Sequence, residues 1–199
     1  MRDLYIKAES STPPAAAPVG LANLQTGQTT SYRTGDDITR GRLTNFTTLS
    51  ANNPFGNTNR FTDTAGGTTY ANGIVIDWST YDNSTVLCYY IGDATTYRNW
   101  NTSIDLKLSA TIGGLTTWYL WNAREVINLL DFSKKPYRMN YAPFNFGNTQ
   151  RYFHTSTDYD GTNAFIVDLG GKPLETGSKS SAYLTIYVRV CTVTGTTLS

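Results

Sequence analysis

Short apolar runs and strict alternation dominate the chain, and both predict strands rather than helices. Gly73–Trp78 (GIVIDW), Thr85–Ile91 (TVLCYYI), Ala164–Leu169 (AFIVDL) and Tyr183–Val193 (YLTIYVRVCTV) each read as a strand. In the last one, Leu184, Ile186, Val188 and Val190 fall on one face and Tyr183, Thr185, Tyr187 and Arg189 on the other, the pattern of a half-buried strand. One segment changes to the helical period. In NAREVINLLDF, starting at Asn122, the residues Ala123, Val126, Ile127 and Leu130 recur at i, i+3, i+4 and i+7 and predict one buried stripe. Asn122 stands where a cap belongs, Glu125 follows three residues later, and Pro136 lies just beyond the end. A second short helix is expected at Asp105–Ala110 (DLKLSA). Between these elements, NNPFGNTN and TDTAGGTTYANG carry the Asn, Gly and Thr of loops. Several strands with one or two short helices predict an α+β domain.

Residues 1–24 break this pattern. Leu4 and Ile6 alternate briefly, then Pro13, Pro14 and Pro18 in SSTPPAAAPVG favour extended backbone and exclude a helix interior. They read as an arm, residues 25–193 as the body, and 194–199 as a short tail. A chain of 199 residues is the size of one domain and buries roughly 70% of its unfolded surface without staples. Sixteen Lys and Arg nearly cancel fifteen Asp and Glu, so no field is available to grip a phosphate backbone and nucleic acid is not an expected partner. No run approaches the ~18 apolar residues of a membrane span, so membrane insertion is not expected either. The start, MRDLYIKAESSTPP, lacks the apolar core of a signal peptide, which predicts release by another route.

Candidate chemistry is sparse. Cys88 and Cys191 are too few for a thiolate metal site and read as buried small hydrophobes, with one disulfide as the alternative. Asp36, Asp37, Asp158 and Asp160 lack the spacing of a calcium loop and read as turn formers, so no metal or other cofactor is expected. The single histidine, His154, precedes Ser156 and Asp158 at strand spacing, but no nucleophile elbow or oxyanion hole accompanies them. The chain therefore does not read as an enzyme. Aromatic residues are more informative at 13% of the chain, with fourteen Tyr and four Trp. Trp78 and Trp118 read as core. Tyr97, Trp100, Tyr119, Trp121 and Tyr159 stand in polar or loop contexts and are the candidate ligand-binding rings, with packing between subunits as the alternative. Arg98, Arg138 and Arg151, scattered among them, suit carboxylated sugars or plain solvent.

The order of segments also carries a resemblance. TGQTTSYRTGDD (from Thr26), NRFTD (from Asn59), GIVIDW (from Gly73), IGGLTTWYLWNAREVINLLDFS (from Ile112), APFNF (from Ala142), YFHTSTDYDGTNAFIVDLGG (from Tyr152) and YVRVC (from Tyr187) occur in sequence. Together they resemble the Lcl C-terminal domain family of bacterial surface adhesins and phage tail or head-associated proteins. The resemblance implies a C-type-lectin-like fold, frequent trimers, surface display and attachment without catalysis. Trp118-Tyr119-Leu120-Trp121-Asn122 departs from the family's Trp-Arg-Leu-Pro-Asn, so no role of that arginine carries over. Phe153 and His154 likewise replace the usual pair in the Tyr-Trp-Thr-Ser stretch. The resulting expectation is a virion adhesin on tail or capsid, rather than a bacterial surface protein. Its arm would join other virion proteins and its loops a host surface glycan. A purely structural virion protein is the alternative.

Overall fold

The apolar runs around Ile76 and Cys88 form the middle of the largest of four sheets among the described residues, where both edges of each run are paired. The computed structural model describes residues 43–49, 51–70, 73–131, 134, 139, 141–144, 146, 151–170 and 173–199. The expected arm 1–24, Asp36, Asp37, Pro136 and Arg138 lie outside the described residues. In chain order the strands are β1 (Leu43–Asn45), β2 (Thr48–Leu49), β3 (Phe61–Thr62), β4 (Thr64–Ala65), β5 (Thr68–Thr69), β6 (Ile74–Asp77), β7 (Thr85–Tyr90), β8 (Tyr119–Leu120), β9 (Tyr152–Asp158), β10 (Asn163–Asp168), β11 (Glu175–Ser178), β12 (Tyr187–Thr194) and β13 (Thr197–Leu198). Among the described residues two short α-helices, α1 (Trp100–Asp105) and α2 (Ala123–Ile127), complete a mostly antiparallel β structure.

The large sheet runs β13-β12-β7-β6-β3, with β8 also paired to β12, and a smaller one runs β11-β10-β9. Strand β7 pairs with β12 from Tyr187 to Thr192, while β8 takes Tyr187 and Val188 and β13 takes Val193 and Thr194. Gly73 opens β6 at φ 83°, and a Cβ there would lie 2.9 Å from the Gly92 nitrogen, so this close approach requires glycine. The two sheets are joined through residues 183–186. Tyr183 exchanges backbone hydrogen bonds with Arg98, and Leu184 bonds Tyr152 and His154 of β9.

That junction corrects the expected alternation of the last strand. Residues Leu184 to Tyr187 are all buried, because 183–186 pass between two sheets and are covered on both sides. Val190, expected inside, is 60% exposed, and its neighbour Cys191 is buried instead. Residues 194–199 are not a free tail: β13 folds back on β12, and the Leu198 N–H donates to the Tyr70 hydroxyl at 2.6 Å. Cys88 and Cys191 are free, buried thiols, and burial pushes the Cys88 thiol well above its usual range.

Helix α2 is shorter than expected, and no helix spans the expected Asp105–Ala110: α1 ends at Asp105 and residues 106–109 are turns. Helix α1 starts five residues before Asp105, where the Asn99 side chain accepts from the Thr102 N–H at 2.9 Å. Helix α2 is only five residues long and ends in two tight turns, Leu129 N–H to Val126 O at 2.9 Å and Leu130 N–H to Ile127 O at 3.2 Å. Val126, Leu129 and Leu130 therefore form the inward face. Ile127, expected in the stripe, is 46% exposed, since it sits roughly 100° around the helix from Val126.

Candidate functional site

Strand β8 is only two residues long, and its alternation sends Leu120 inward and Tyr119 outward. Tyr119 is 52% exposed and stands opposite Val188 of β12. Beside it opens a cleft of about 400 Å³. Its floor is apolar. Leu87 and Val190 are directly paired across β7 and β12, and Val188 lies two residues along the same face. The opposite wall is polar and comes from Asn122 and Glu125 at the start of α2, with Ser156 of β9.

The wall is held by the helix cap. Asn122 Oδ1 accepts from the N–H groups of Arg124 at 2.9 Å and Glu125 at 3.0 Å, while Glu125 Oε2 accepts from the Asn122 N–H at 2.7 Å. This is the reciprocal box expected from Asn122 and Glu125. The Ala123 N–H donates to Thr157 Oγ1 at 3.0 Å, which fixes the helix start against β9. Partial burial raises the Glu125 pKa, and the Asn122 N–H opposes that shift without cancelling it. Arg189 also lines the cleft, with Nη1 donating to Thr116 O. An exposed ring over an aliphatic floor, facing a carboxylate and an amide, suits a small amphipathic ligand.

The other expected rings are placed differently. Trp121 is fully buried: its Nε1 donates to His154 O at 2.6 Å and its ring meets Phe153 at 5.8 Å. It packs where the two sheets join, so it offers no face to a ligand, which corrects its assignment as a binding ring. Trp100 is half-buried, donating from Nε1 to Thr155 O at 2.8 Å. The Lys179 ammonium covers its ring at 4.6 Å while also reaching Asp158 and the Asp160 carbonyl, both at 2.7 Å. Trp100 thus ties the start of α1 to β9 and to the turn after β11. Tyr97 and Tyr159 are exposed, and Tyr159 rests edge-on against Phe165 at 5.4 Å.

A second, polar cleft of about 520 Å³ is lined by Asn99, Asn101, Thr162 and Lys179 among others, and none of the five candidate rings lines it. The Tyr119 cleft shares no lining residue with it, and of the five candidate rings Tyr119 alone lines either of these two clefts. His154 is buried, with Nε2 at 3.0 Å from Arg98 O and 3.2 Å from Ser181 O, an arrangement that commits it to backbone rather than to Ser156. Asp160 accepts from the N–H groups of Thr162 and Asn163, as a turn former does. Among the described residues no group of three or more His, Cys, Asp or Glu is placed to hold a metal ion. Arg98 lies 3.8 Å from Asp93.

Sequence reasoning found Tyr119 but missed Leu87 and Val190 beneath it and saw Glu125 only as a cap. Neither known protein families nor curated proteins give a match to the chain.

Proposed function

We propose that the protein is a virion-attached adhesin whose lectin-like body recognises a host surface glycan through the Tyr119 cleft. The observation that carries this reading is an exposed ring over the Leu87–Val190 floor with a partly desolvated carboxylate facing it. Sugars are amphipathic in the same way, with C–H groups for an aromatic face and hydroxyls for a carboxylate. Support also comes from the family resemblance over residues 25–193 and from the mostly antiparallel sheets with two short helices, which suit a C-type-lectin-like fold. The arm 1–24 anchors the body to other virion proteins, and a homotrimer presents several clefts at once. Millimolar binding at one cleft supplies only about 4 kcal/mol, and linked copies raise avidity by roughly 10²–10⁴.

The test is adsorption of the purified full chain to host cells. Tyr119→Ala abolishes adsorption while the thermal midpoint is nearly unchanged, and deletion of residues 1–24 leaves a folded body that no longer enters particles. Full adsorption by Tyr119→Ala sinks the assignment. A structural role is the second reading, favoured by the exposed Val190 and Tyr119 side chains. In that case neighbouring subunits bury this surface in the intact particle.

A further inference from the structure

The geometry points to Glu125 as the residue that sets the ligand class of the Tyr119 cleft: a neutral hexopyranoside, with uronic and other acidic sugars rejected. This rests on the glycan-binding reading above and adds its charge selectivity. The helix cap uses only one Glu125 oxygen, since Oε2 takes the Asn122 N–H at 2.7 Å. Oε1 has no hydrogen-bond partner among the described residues, although Glu125 lines the cleft. No cation pairs with this carboxylate among the described residues. Among the described residues the one guanidinium lining the cleft belongs to Arg189, and it is turned to backbone carbonyls, Nη1 to Thr116 O and Nε to Val190 O at 3.4 Å.

A partly desolvated acceptor without a counter-ion seeks donors, and vicinal hydroxyls of a pyranose supply them without adding charge. A ligand carboxylate placed beside it would meet like charge at reduced dielectric and lose its own water. Tyr119, Leu87 and Val190 meanwhile cover the C–H face of the ring. The same side chain thus caps α2 and reads the ligand, which is why its position is fixed before binding.

Matched probes test this directly. Methyl β-D-glucopyranoside and methyl β-D-galactopyranoside each differ from their uronide counterparts only at C6. Each is titrated into the ¹⁵N-labelled full chain while amide shifts are followed. The neutral glycosides move the amides of Tyr119, Asn122, Ser156 and Val190, and the uronides bind about tenfold more weakly or worse. Glu125→Gln retains the capping acceptor and removes the charge, so it brings each uronide to within about threefold of its neutral partner. Tyr119→Ala loses the neutral glycosides. Equal wild-type affinities, a gap that survives Glu125→Gln, or no response of these amides to any neutral glycoside overturns the inference. If host-cell adsorption still depends on Tyr119 in those cases, attachment stands and only the ligand class falls. If adsorption is also independent of Tyr119, both readings fall.

Discussion

The Arg60 guanidinium grips the Asp77 carboxylate at two points, Nε to Oδ1 at 3.0 Å and Nη2 to Oδ2 at 2.9 Å, with both side chains fully buried. Nη1 donates to Phe46 O and Nη2 to Asn128 O at 2.7 Å, and the Phe46 and Phe61 rings cover the guanidinium at 4.6 and 4.5 Å. Burial alone disfavours the charge, but Asp77 outweighs it and the Arg60 pKa stands above its ordinary value. Because Asn128 is the C-cap of α2, this pair also ties the helix that walls the cleft to strand β6.

Breaking that pair leaves a charge buried without its partner. Asp77→Asn is expected to cost about 3–5 kcal/mol in urea unfolding, and Arg60→Lys also destabilises because an ammonium cannot reproduce the fork. A cost under ~1 kcal/mol for Asp77→Asn would show that the site relaxes enough to admit water.

Helix α2 separates two neighbours of similar chemistry. Leu130 is buried beside Val126 and Leu129, so Leu130→Ala leaves a cavity and costs about 2–5 kcal/mol. Ile127→Ala removes a half-exposed side chain and costs less than ~1 kcal/mol. Equal costs in chemical denaturation would mean that the helix is turned differently on the sheet.

Local signals in the chain proved readable, and signals set by distant partners did not. The strands around Ile76, Cys88 and Ile166 lie within one or two residues of their apolar runs, and the Asn122–Glu125 box forms as spaced, because each depends only on near neighbours. Trp121 stands between Leu120 and the polar Asn122 at the helix start yet is core, since β9 and residues 183–186 meet over it. Val190 fits the apolar alternation yet is exposed, because that face of β12 opens on the cleft. Arg60 gave no warning either, as its partner is seventeen residues away on another strand. The candidate site was legible in one ring, Tyr119. Its floor required the β7–β12 register.

Two aromatic residues separated by one position respond oppositely to truncation. Trp121→Ala removes a fully buried ring and strands the His154 carbonyl, at about 3–5 kcal/mol. Tyr119→Ala removes an exposed cross-strand neighbour of Val188, at under ~1 kcal/mol. Thermal melts of the two single variants check this, and a Trp121→Ala protein that melts like wild type would contradict the burial of Trp121 at the sheet junction.

His154 makes stability depend on pH in a calculable direction. Burial lowers its pKa, the Arg98 and Ser181 carbonyls at Nε2 oppose the shift only in part, and Nδ1 has no hydrogen-bond partner. A proton on Nδ1 would therefore enter the fold with no acceptor. In the unfolded chain the imidazole titrates at its ordinary 6.5. As pH falls below that value the unfolded chain takes up a proton that the native protein refuses, so stability drops, by at most about 1.4 kcal/mol per pH unit. The decline ends at the lowered folded pKa, where both states are protonated. Glu125 has the opposite sign: its raised pKa lets the native state take up a proton first on acidification and adds stability there. Comparing wild type with His154→Gln isolates the histidine, because Glu125 contributes equally to both. From about pH 7.5 to about pH 5, urea midpoints of wild type should fall more steeply than those of the variant. Parallel curves would mean that His154 accepts its second proton in the fold as readily as in water.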